Sequence, residues 1–223
     1  MRKVIRSIKN KLRNAFKSRA EKRHALVGHP DLWKMKRDFQ IMFLKTHGLV
    51  QSDSLLDLGC GTLRGGIPLI EYLNEGGYFG LEVRPEVLVE ARKELADANL
   101  VAKRPTLLLL SETNLLPVQH FDYVWAFSVL IHMDDESLRK AIALVSNTLS
   151  GKGVFFANVN IGSGKELEWQ GFPVVRRPLE FYKKVAADYG LDVVDMGEIR
   201  SLGHKCGVES QDSQHMLKIT IDK

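Results

Sequence analysis

Residues 55–66 read LLDLGCGTLRGG, and this stretch decides the fold. An apolar, strand-like run carries the acidic residue Asp57 and passes directly into a loop with four glycines. Glycines this closely spaced let the backbone bend so that a ligand can approach it. In open sheets of parallel strands, ligands bind outside the carboxyl ends of the strands. The stretch therefore predicts a ligand site at the carboxyl end of a strand.

Strand-like and helix-like stretches alternate from residue 54 onward. The strand-like stretches are 54–59, 77–83, 105–112, 121–130, 153–160, 191–199 and 214–222, and the helix-like stretches are 64–76, 84–100, 134–150 and 178–190. Such alternation is typical of βαβ units, whose strands form a parallel sheet with helices on both faces. Residues 200–213 lack the apolar periodicity of a crossover helix. We therefore predict an α/β fold, with a doubly wound, mainly parallel seven-stranded sheet, an antiparallel last strand and preceding N-terminal helices.

The basic residues are concentrated at the N-terminus. Residues 1–24 contain ten Lys or Arg and a single acid, Glu21, so the rest of the chain is mildly acidic. Apolar residues recur there every three or four positions, namely Val4, Ile5, Ile8, Leu12 and Phe16. This spacing predicts a basic amphipathic helix. We divide the chain into a basic arm, residues 1–27, and an α/β domain, residues 28–223, which begins with a second amphipathic helix over residues 32–48.

Four interpretations of the arm stay open. A basic amphipathic helix over residues 2–19 fits an anionic membrane surface, to which each basic residue contributes about 1 kcal/mol. The same helix fits a nucleic acid, a cleavable organelle presequence, or packing on the protein's own domain. The sequence does not decide among these partners, and it predicts no oligomeric state.

The cysteines and the hydropathy of the sequence argue against several other classes of protein. Cys60 and Cys206 are the only cysteines and form no CxxC pair, so we expect neither a disulfide framework nor a bound metal. No apolar run approaches the ~18 residues of a membrane span, and the N-terminus lacks the apolar core of a secretory signal. We expect a cytoplasmic protein, peripheral on the inner face of the membrane if the arm binds lipid.

Acidic residues end three successive strand-like stretches. Asp57 lies two residues before the first glycine of the loop, and Glu82 and Glu112 end the next two stretches. A dinucleotide site has glycine near the position of Leu63 and holds a pyrophosphate, which nearby carboxylates disfavour. Glu82 is placed to accept hydrogen bonds from ribose hydroxyls, and Glu112 from the amino group of adenine. The pattern therefore favours a positively charged nucleoside.

Three stretches resemble the cofactor-binding segments of class I S-adenosylmethionine-dependent methyltransferases. They read LLDLGCGTLRGG, YFGLEV and SETNLLPVQHFDYVWAFSVLIHM, and the similarity extends over residues 52–160. The resemblance implies S-adenosylmethionine as cofactor and the following positions around it. The methionine part would lie at Asp57, Gly59, Cys60 and Gly61, the ribose at Glu82, the adenine at Val83, Glu112 and Thr113, and the transferred methyl beside Phe127, Ser128 and His132.

The resemblance also implies a reaction, the transfer of a methyl group from a sulfonium to a nucleophile. The Asn-Pro-Pro-Tyr-like element with which similar enzymes hold an amino group is replaced by AFSV at 126–129. We therefore expect O-methylation of a small molecule, a sugar or a lipid-linked glycan, with His132 as candidate general base. The alternatives are an RNA methyltransferase that uses the arm, a non-catalytic scaffold that binds the cofactor, and an NAD-dependent dehydrogenase.

Overall fold

The computed structural model describes residues 19–116, 120–164 and 167–222. Its strands are β1 Leu55–Leu58, β2 Tyr78–Glu82, β3 Thr106–Leu109, β4 Phe121–Ala126, β5 Leu149–Val159, β6 Leu167–Trp169, β7 Phe172–Val174, β8 Leu191–Glu198 and β9 His215–Ile221. Its helices are α1 Arg19–His24, α2 Trp33–Thr46, α3 Gly66–Tyr72, α4 Pro85–Asp97, α5 Asp135–Thr148, α6 Leu179–Ala187 and α7 Glu209–Asp212.

Seven of the strands form one sheet in the order β3-β2-β1-β4-β5-β9-β8. All of them run parallel except β9, which is antiparallel to both β5 and β8. The predicted fold class is confirmed, including the antiparallel last strand and the N-terminal helices. Strand order reverses between β1 and β4, so a crevice for a ligand is expected at the carboxyl ends of these strands.

The sheet is covered on both faces. Aromatic residues of α2, such as Phe39 and Phe43, pack with α3 and α4 on one face, where Trp125 is fully buried. Helices α5 and α6 pack on the other face, around residues such as Leu138 and Tyr182. Every residue of β1 is buried, as expected for a central strand between two helical layers. The carboxyl edge of β1, β2 and β4 is therefore rigidly held from both sides.

Several features differ from the sequence prediction. The third strand ends at Leu109 and not at residue 112, because Leu110–Leu115 form a 3-10 turn that contains Glu112. The fourth strand ends at Ala126 and not at residue 130, because Ser128 has a left-handed backbone, with φ of 60°, that cannot continue a strand. Strands β6 and β7 form an antiparallel hairpin in the region that the sequence left irregular. Its turn residues Gln170 and Gly171 have φ of 52° and 83°, the signs required by a tight two-residue hairpin turn.

The N-terminal part of the chain is described from residue 19. The amphipathic helix predicted from Val4 to Phe16 lies outside the described residues, and the division at residues 27 and 28 stays a prediction. Helix α1 leads into a short 3-10 turn, Ala25–Val27, and a second one, Pro30–Leu32, precedes α2. None of the helices in the described ranges has the length and apolar character required to cross a membrane.

Candidate active site

The glycine loop, residues 59–66, connects β1 to α3 at the carboxyl edge of the sheet. Gly59 and Gly61 have φ of 70° and 57°, a conformation that side chains disfavour. Gly59 is exposed at the edge, and a Cβ there would lie 2.6 Å from Val129 Cγ2. The loop therefore packs closely against the residues that follow β4, and one of its two left-handed glycines faces solvent.

Asp57 is the buried acid of the site. It lies at the end of β1 with 4% of its surface exposed, and Tyr78 donates a hydrogen bond to its Oδ2 across 2.6 Å. Burial raises the pKa of Asp57 to about 7, although the bond from Tyr78 lowers it. The nearby charge of Glu82 raises this pKa further, and that of Arg64 lowers it. A positively charged ligand beside Asp57 would favour its ionised form.

Glu82 ends β2 and is also 4% exposed. Its Oε1 accepts hydrogen bonds from the backbone N–H groups of Val83 and Arg84, at 2.9 and 3.0 Å, and contacts Arg84 Nε at 3.4 Å. Within the described residues, no group donates a hydrogen bond to Oε2. One oxygen therefore fixes the orientation of the carboxylate, and the other has free acceptor capacity for ligand hydroxyls.

Apolar surface lies beside these acids. Val83 follows β2 with 53% of its surface exposed, and Leu110 follows β3 with 40% exposed. Glu112 lies in the same turn, where its Oε2 accepts a hydrogen bond from the backbone N–H of Leu109 at 2.9 Å. Thr113 is half-buried next to it. The structure thus brings Val83, Glu112 and Thr113 to neighbouring strand ends, where the sequence placed the adenine.

Cys60 faces away from the edge. Its Sγ packs on β2, 2.9 Å from the position that a Cβ on Gly80 would take. Burial raises the pKa of the thiol well above its usual range, and the charges of Asp57 and Glu82 raise it further. Cys60 is therefore a neutral packing residue of the loop, and only its backbone lies at the edge.

The residues after β4 hold a constrained turn. The Phe127 ring is buried against Trp125, Phe39 and His204 and does not line the edge. Ser128 takes the left-handed conformation, and its N–H donates to Asn158 Oδ1 at 2.6 Å. The turn is thus fixed by a fully buried asparagine at the end of β5.

His132 lies at the end of the next turn and is half-buried beneath the hairpin. Its Nδ1 is 2.9 Å from the Pro173 carbonyl, which can only accept, so Nδ1 carries the proton and Nε2 is the free acceptor. The ring stacks on Trp169 at a centroid distance of 5.2 Å. Burial lowers the pKa of His132, although the bond to Pro173 raises it, so the ring is neutral near pH 7.

Sequence reasoning missed two groups near this site. Lys36 of α2 and Arg64 of the glycine loop are buried cations, and burial lowers their pKa values to about 8 and about 10. His204, Cys206 and Asp212 converge within 4.8 Å on the β8–β9 connection, as potential metal ligands do. No motif spacing indicates either group: Lys36 and Arg64 belong to separate elements, and the other three residues converge through the folding of the β8–β9 connection.

The convergence around Asp212 is explained by hydrogen bonds alone. Its carboxylate accepts from His204 Nδ1 and from the backbone N–H groups of Cys206 and Gly207, at 2.8 to 2.9 Å. Burial raises its pKa, but these donors outweigh burial and lower the pKa to about 2. The carboxylate therefore holds the β8–β9 connection in place as an anion.

The strand order, the reversal between β1 and β4, and the acids beside the glycine loop define the class of protein. It is a Rossmann-like fold, and the acids at its strand ends suit a nucleoside that carries positive charge. Residues 56–155 match the family model described as a methyltransferase domain. A comparison with curated proteins by sequence gives no match.

Three solved structures with the same fold are distant in sequence. Magnesium protoporphyrin IX methyltransferase from Synechocystis PCC 6803, with bound SAM, has a TM-score of 0.65 at 15% identity, over 96% of this chain and 97% of that one. An S-adenosylmethionine-dependent methyltransferase from Clostridium acetobutylicum has 0.63 at 18%, over 99% of both. The glycopeptide N-methyltransferase MtfA, complexed with sinefungin, has 0.62 at 18%, over 82% and 92%.

Residues 56–155 form a methyltransferase domain, and the fold around them is that of class I S-adenosylmethionine-dependent methyltransferases, enzymes whose cofactor is S-adenosylmethionine. The resemblance found in the sequence is thereby confirmed. The chemistry of the site agrees with this cofactor: two buried carboxylates at adjacent strand ends suit a cationic nucleoside with free ribose hydroxyls, and exposed apolar residues beside them suit a base.

Proposed function

We propose that this enzyme methylates a hydroxyl oxygen of a small acceptor, a small molecule, a sugar or a lipid-linked glycan, with His132 as general base. The observation that carries the proposal is the bond between His132 Nδ1 and the Pro173 carbonyl, 2.9 Å long. This bond leaves Nε2 unprotonated, at the strand end where the sequence places the transferred methyl. A neutral imidazole in this state accepts a proton from a hydroxyl.

The cofactor part of the proposal rests on Asp57, Glu82 and the loop glycines. Glu82 Oε2 would accept from the ribose hydroxyls, and the Asp57 carboxylate would balance positive charge. Val83 would pack on the adenine, with Glu112 and Thr113 at its rim, and the backbone of Gly59, Cys60 and Gly61 would line the methionine part. When bound, S-adenosylmethionine supplies the methyl group and departs as S-adenosylhomocysteine.

The chain's own residues would position the acceptor and remove the proton from its hydroxyl group. Trp169 and His132 form a stacked pair that would hold a flat or sugar-like acceptor at the hairpin. His132 Nε2 would take the hydroxyl proton as the oxygen forms its bond to the methyl carbon and the carbon–sulfur bond breaks. The backbone at Phe127 and the side chain of Ser128 would border the reacting atoms.

The test is methyl transfer from labelled S-adenosylmethionine to a panel of hydroxyl, amino and carboxyl acceptors by the full-length protein. We expect products from hydroxyl acceptors, and a fall in kcat of about 10²- to 10⁴-fold for His132→Asn with the affinity for S-adenosylhomocysteine unchanged. The matched control is His29→Asn, since His29 is 66% exposed. Methylation of amines alone would overturn the proposed hydroxyl acceptor. Full turnover by His132→Asn would overturn the role of His132 as general base. Cofactor binding with no product from any acceptor would favour the scaffold.

We further propose that the basic arm, residues 2–19, binds an anionic membrane surface. Support comes from the sequence alone, since residues 1–18 lie outside the described ranges. The test is co-sedimentation of the full-length protein with vesicles of phosphatidylcholine and phosphatidylglycerol. Replacement of Arg2, Lys3, Arg6 and Lys9 by Glu should abolish binding. Equal sedimentation of both proteins would overturn the proposal, and steeply salt-dependent binding to RNA would favour the RNA methyltransferase.

A further inference from the structure

Residues 23–28, which we call the strap, run across the carboxyl edge of the sheet above the glycine loop. Three successive carbonyls of the strap each accept a hydrogen bond from a side chain of the candidate site. Gln170 Nε2 donates to Ala25 O at 3.3 Å, Arg84 Nη1 to Leu26 O at 3.2 Å, and Arg64 Nη1 to Val27 O at 3.0 Å.

The three donors come from separate parts of the site. Arg64 belongs to the glycine loop, Arg84 follows the predicted ribose acid of β2, and Gln170 is at the tip of the β6–β7 hairpin. The carbonyls lie at the carboxyl end of a helical segment, where unpaired carbonyls carry partial negative charge that favours guanidinium groups. The strap therefore ties together the parts of the chain that surround the cofactor position.

The start of the strap is anchored to the body of the protein. Arg23 is 6% exposed, and its guanidinium forms ion pairs with Glu94 and Asp97 of α4. The His24 ring stacks on Trp33 of α2 with centroids 3.5 Å apart. Movement of the strap would thus occur between this anchor and α2, over residues 25–28.

The middle of the strap covers the glycine loop. Val27 Cγ1 is 2.8 Å from the position that a Cβ on Gly61 would take, and Gly61 is buried as a result. Residues 25–27 themselves are only partly buried, and their described ties to the body are largely hydrogen bonds from side chains. Segments with few buried apolar contacts open at low free energy. Residues 25–27 therefore cover the glycine loop while few of their own apolar atoms are buried.

Arg84 connects the strap to the cofactor position. Its Nε is 3.4 Å from Glu82 Oε1 while its Nη1 holds Leu26, and its guanidinium lies over the Phe172 ring at 5.6 Å. One side chain thus contacts the ribose acid, the strap and the hairpin. A ligand that donates hydroxyls to Glu82 holds this carboxylate in place, which favours the bound position of Arg84.

We infer that the strap is a movable cover of the cofactor site, that it must open for the nucleoside cofactor to exchange, and that Arg84 and Gln170 are positioning residues that hold it closed. The inference rests on the proposed cofactor site. It adds a binding element that the glycine loop and the strand-end acids do not contain. The cover also explains why the half-buried Arg84 and the exposed Gln170 donate hydrogen bonds to the carbonyls of Leu26 and Ala25, which are distant in sequence.

The experiment uses the full-length protein with S-adenosylhomocysteine as the probe. Hydrogen exchange of the amides of residues 23–28 should slow on binding. Stopped-flow dissociation should be faster in Arg84→Gln by about tenfold or more, and in Gln170→Ala by about two- to fivefold, the range expected for a lost charged and a lost neutral hydrogen bond. Gln170 is exposed and does not contact Glu82, so its variant separates the strap from a direct effect on the acid.

The matched control is Arg139→Gln, because Arg139 pairs with Asp188 on the exposed surface of α5. Its dissociation rate should equal that of the wild type. Binding of S-adenosylhomocysteine with unchanged exchange in residues 23–28, or with wild-type dissociation from both strap variants, would overturn the strap alone. Failure of the wild-type protein to bind the probe would overturn the proposed cofactor site, and the strap with it.

Discussion

The Tyr78 hydroxyl donates a hydrogen bond to Asp57 Oδ2 across 2.6 Å, from β2 to the end of β1. Both side chains are buried, and burial raises the pKa of Asp57 to about 7 despite this bond. Asp57 therefore changes its charge near neutral pH, in the layer directly beneath the glycine loop. Cofactor binding and folding should both depend on this proton.

The affinity for S-adenosylmethionine should depend on pH through Asp57. As the pH falls through about 7, Asp57 takes up a proton and loses the negative charge that favours a cationic ligand. We expect the Kd to fall between about pH 6 and about pH 8 in the wild type, and to stay flat in Asp57→Asn. Calorimetry at several pH values measures this, with the exposed Asp31→Asn as control. If the Kd depends on pH in the same way in the wild type and in Asp57→Asn, the prediction is contradicted.

Asp57→Asn should also stabilise the fold at alkaline pH. Because the pKa is raised in the folded state, the stabilising contribution of this carboxyl is complete below its unfolded pKa of about 4 and is lost as the pH rises through about 7. Removing the charge should therefore increase the free energy of unfolding by about 2 to 4 kcal/mol at pH ~8, and by less at pH ~5. Urea denaturation at both pH values measures the difference. If Asp57→Asn is less stable than the wild type at the higher pH, the charge of Asp57 does not destabilise the folded state.

The two other acids should differ in their effect on cofactor affinity. Glu82 has a free Oε2 beside the edge, whereas Glu112 is more exposed and bonded to Leu109. Glu82→Gln should weaken binding of S-adenosylhomocysteine by about tenfold or more, since a charged acceptor is worth about 1.5 to 3 kcal/mol. Glu112→Gln, the matched change, should weaken it less. Calorimetry that ranks the two variants in the opposite order would contradict the proposed role of Glu82 as the acid that binds ribose.

The sheet could be predicted from the sequence because each strand and each helix is indicated by the residues within it. Strand-like and helix-like stretches follow one another with short connections, and residues 200–213 are too irregular for a crossover, which fixes the antiparallel direction of β9. The β6–β7 hairpin was missed because strands of three residues show no alternation of apolar and polar positions. Its one signal was Gln170-Gly171 between aromatic residues.

The site was predictable only where its residues adjoin strand ends. Asp57 and Glu82 could be placed at this edge from the sequence because each lies at or near the end of a strand, β1 or β2. The bond from Gln170 to Ala25 joins residues 145 positions apart, and no local pattern contains it. Phe127 shows the opposite limit: it directly follows the observed end of β4, but the direction of its ring depends on packing against α2.

Ser128→Gly should increase stability. Ser128 has φ of 60°, which costs a residue with a Cβ about 1 to 2 kcal/mol, partly offset by the greater chain entropy that glycine loses on folding. We expect a gain of about 0.5 to 1 kcal/mol, because the backbone bond to Asn158 is retained. Ser128→Ala keeps the strain and should show no gain. Urea denaturation that gives equal stabilities for both variants would argue against strain at this turn.

Gly59→Ala should be far more harmful than the same change at Gly190. The two glycines have nearly equal φ, 70° and 69°, so the backbone strain of an added Cβ is the same, about 1 to 2 kcal/mol. At Gly59 the new Cβ would also lie 2.6 Å from Val129 Cγ2, whereas nothing lies within 4 Å at Gly190. Gly59→Ala should therefore displace the turn after β4 and weaken S-adenosylhomocysteine binding, while Gly190→Ala changes stability alone.

Adding Val129→Ala to Gly59→Ala should restore part of the binding because it removes the atom that the Cβ meets. Titration of the three variants with S-adenosylhomocysteine distinguishes strain from contact. If the second substitution restores nothing, the packing of the glycine loop on Val129 does not set its conformation.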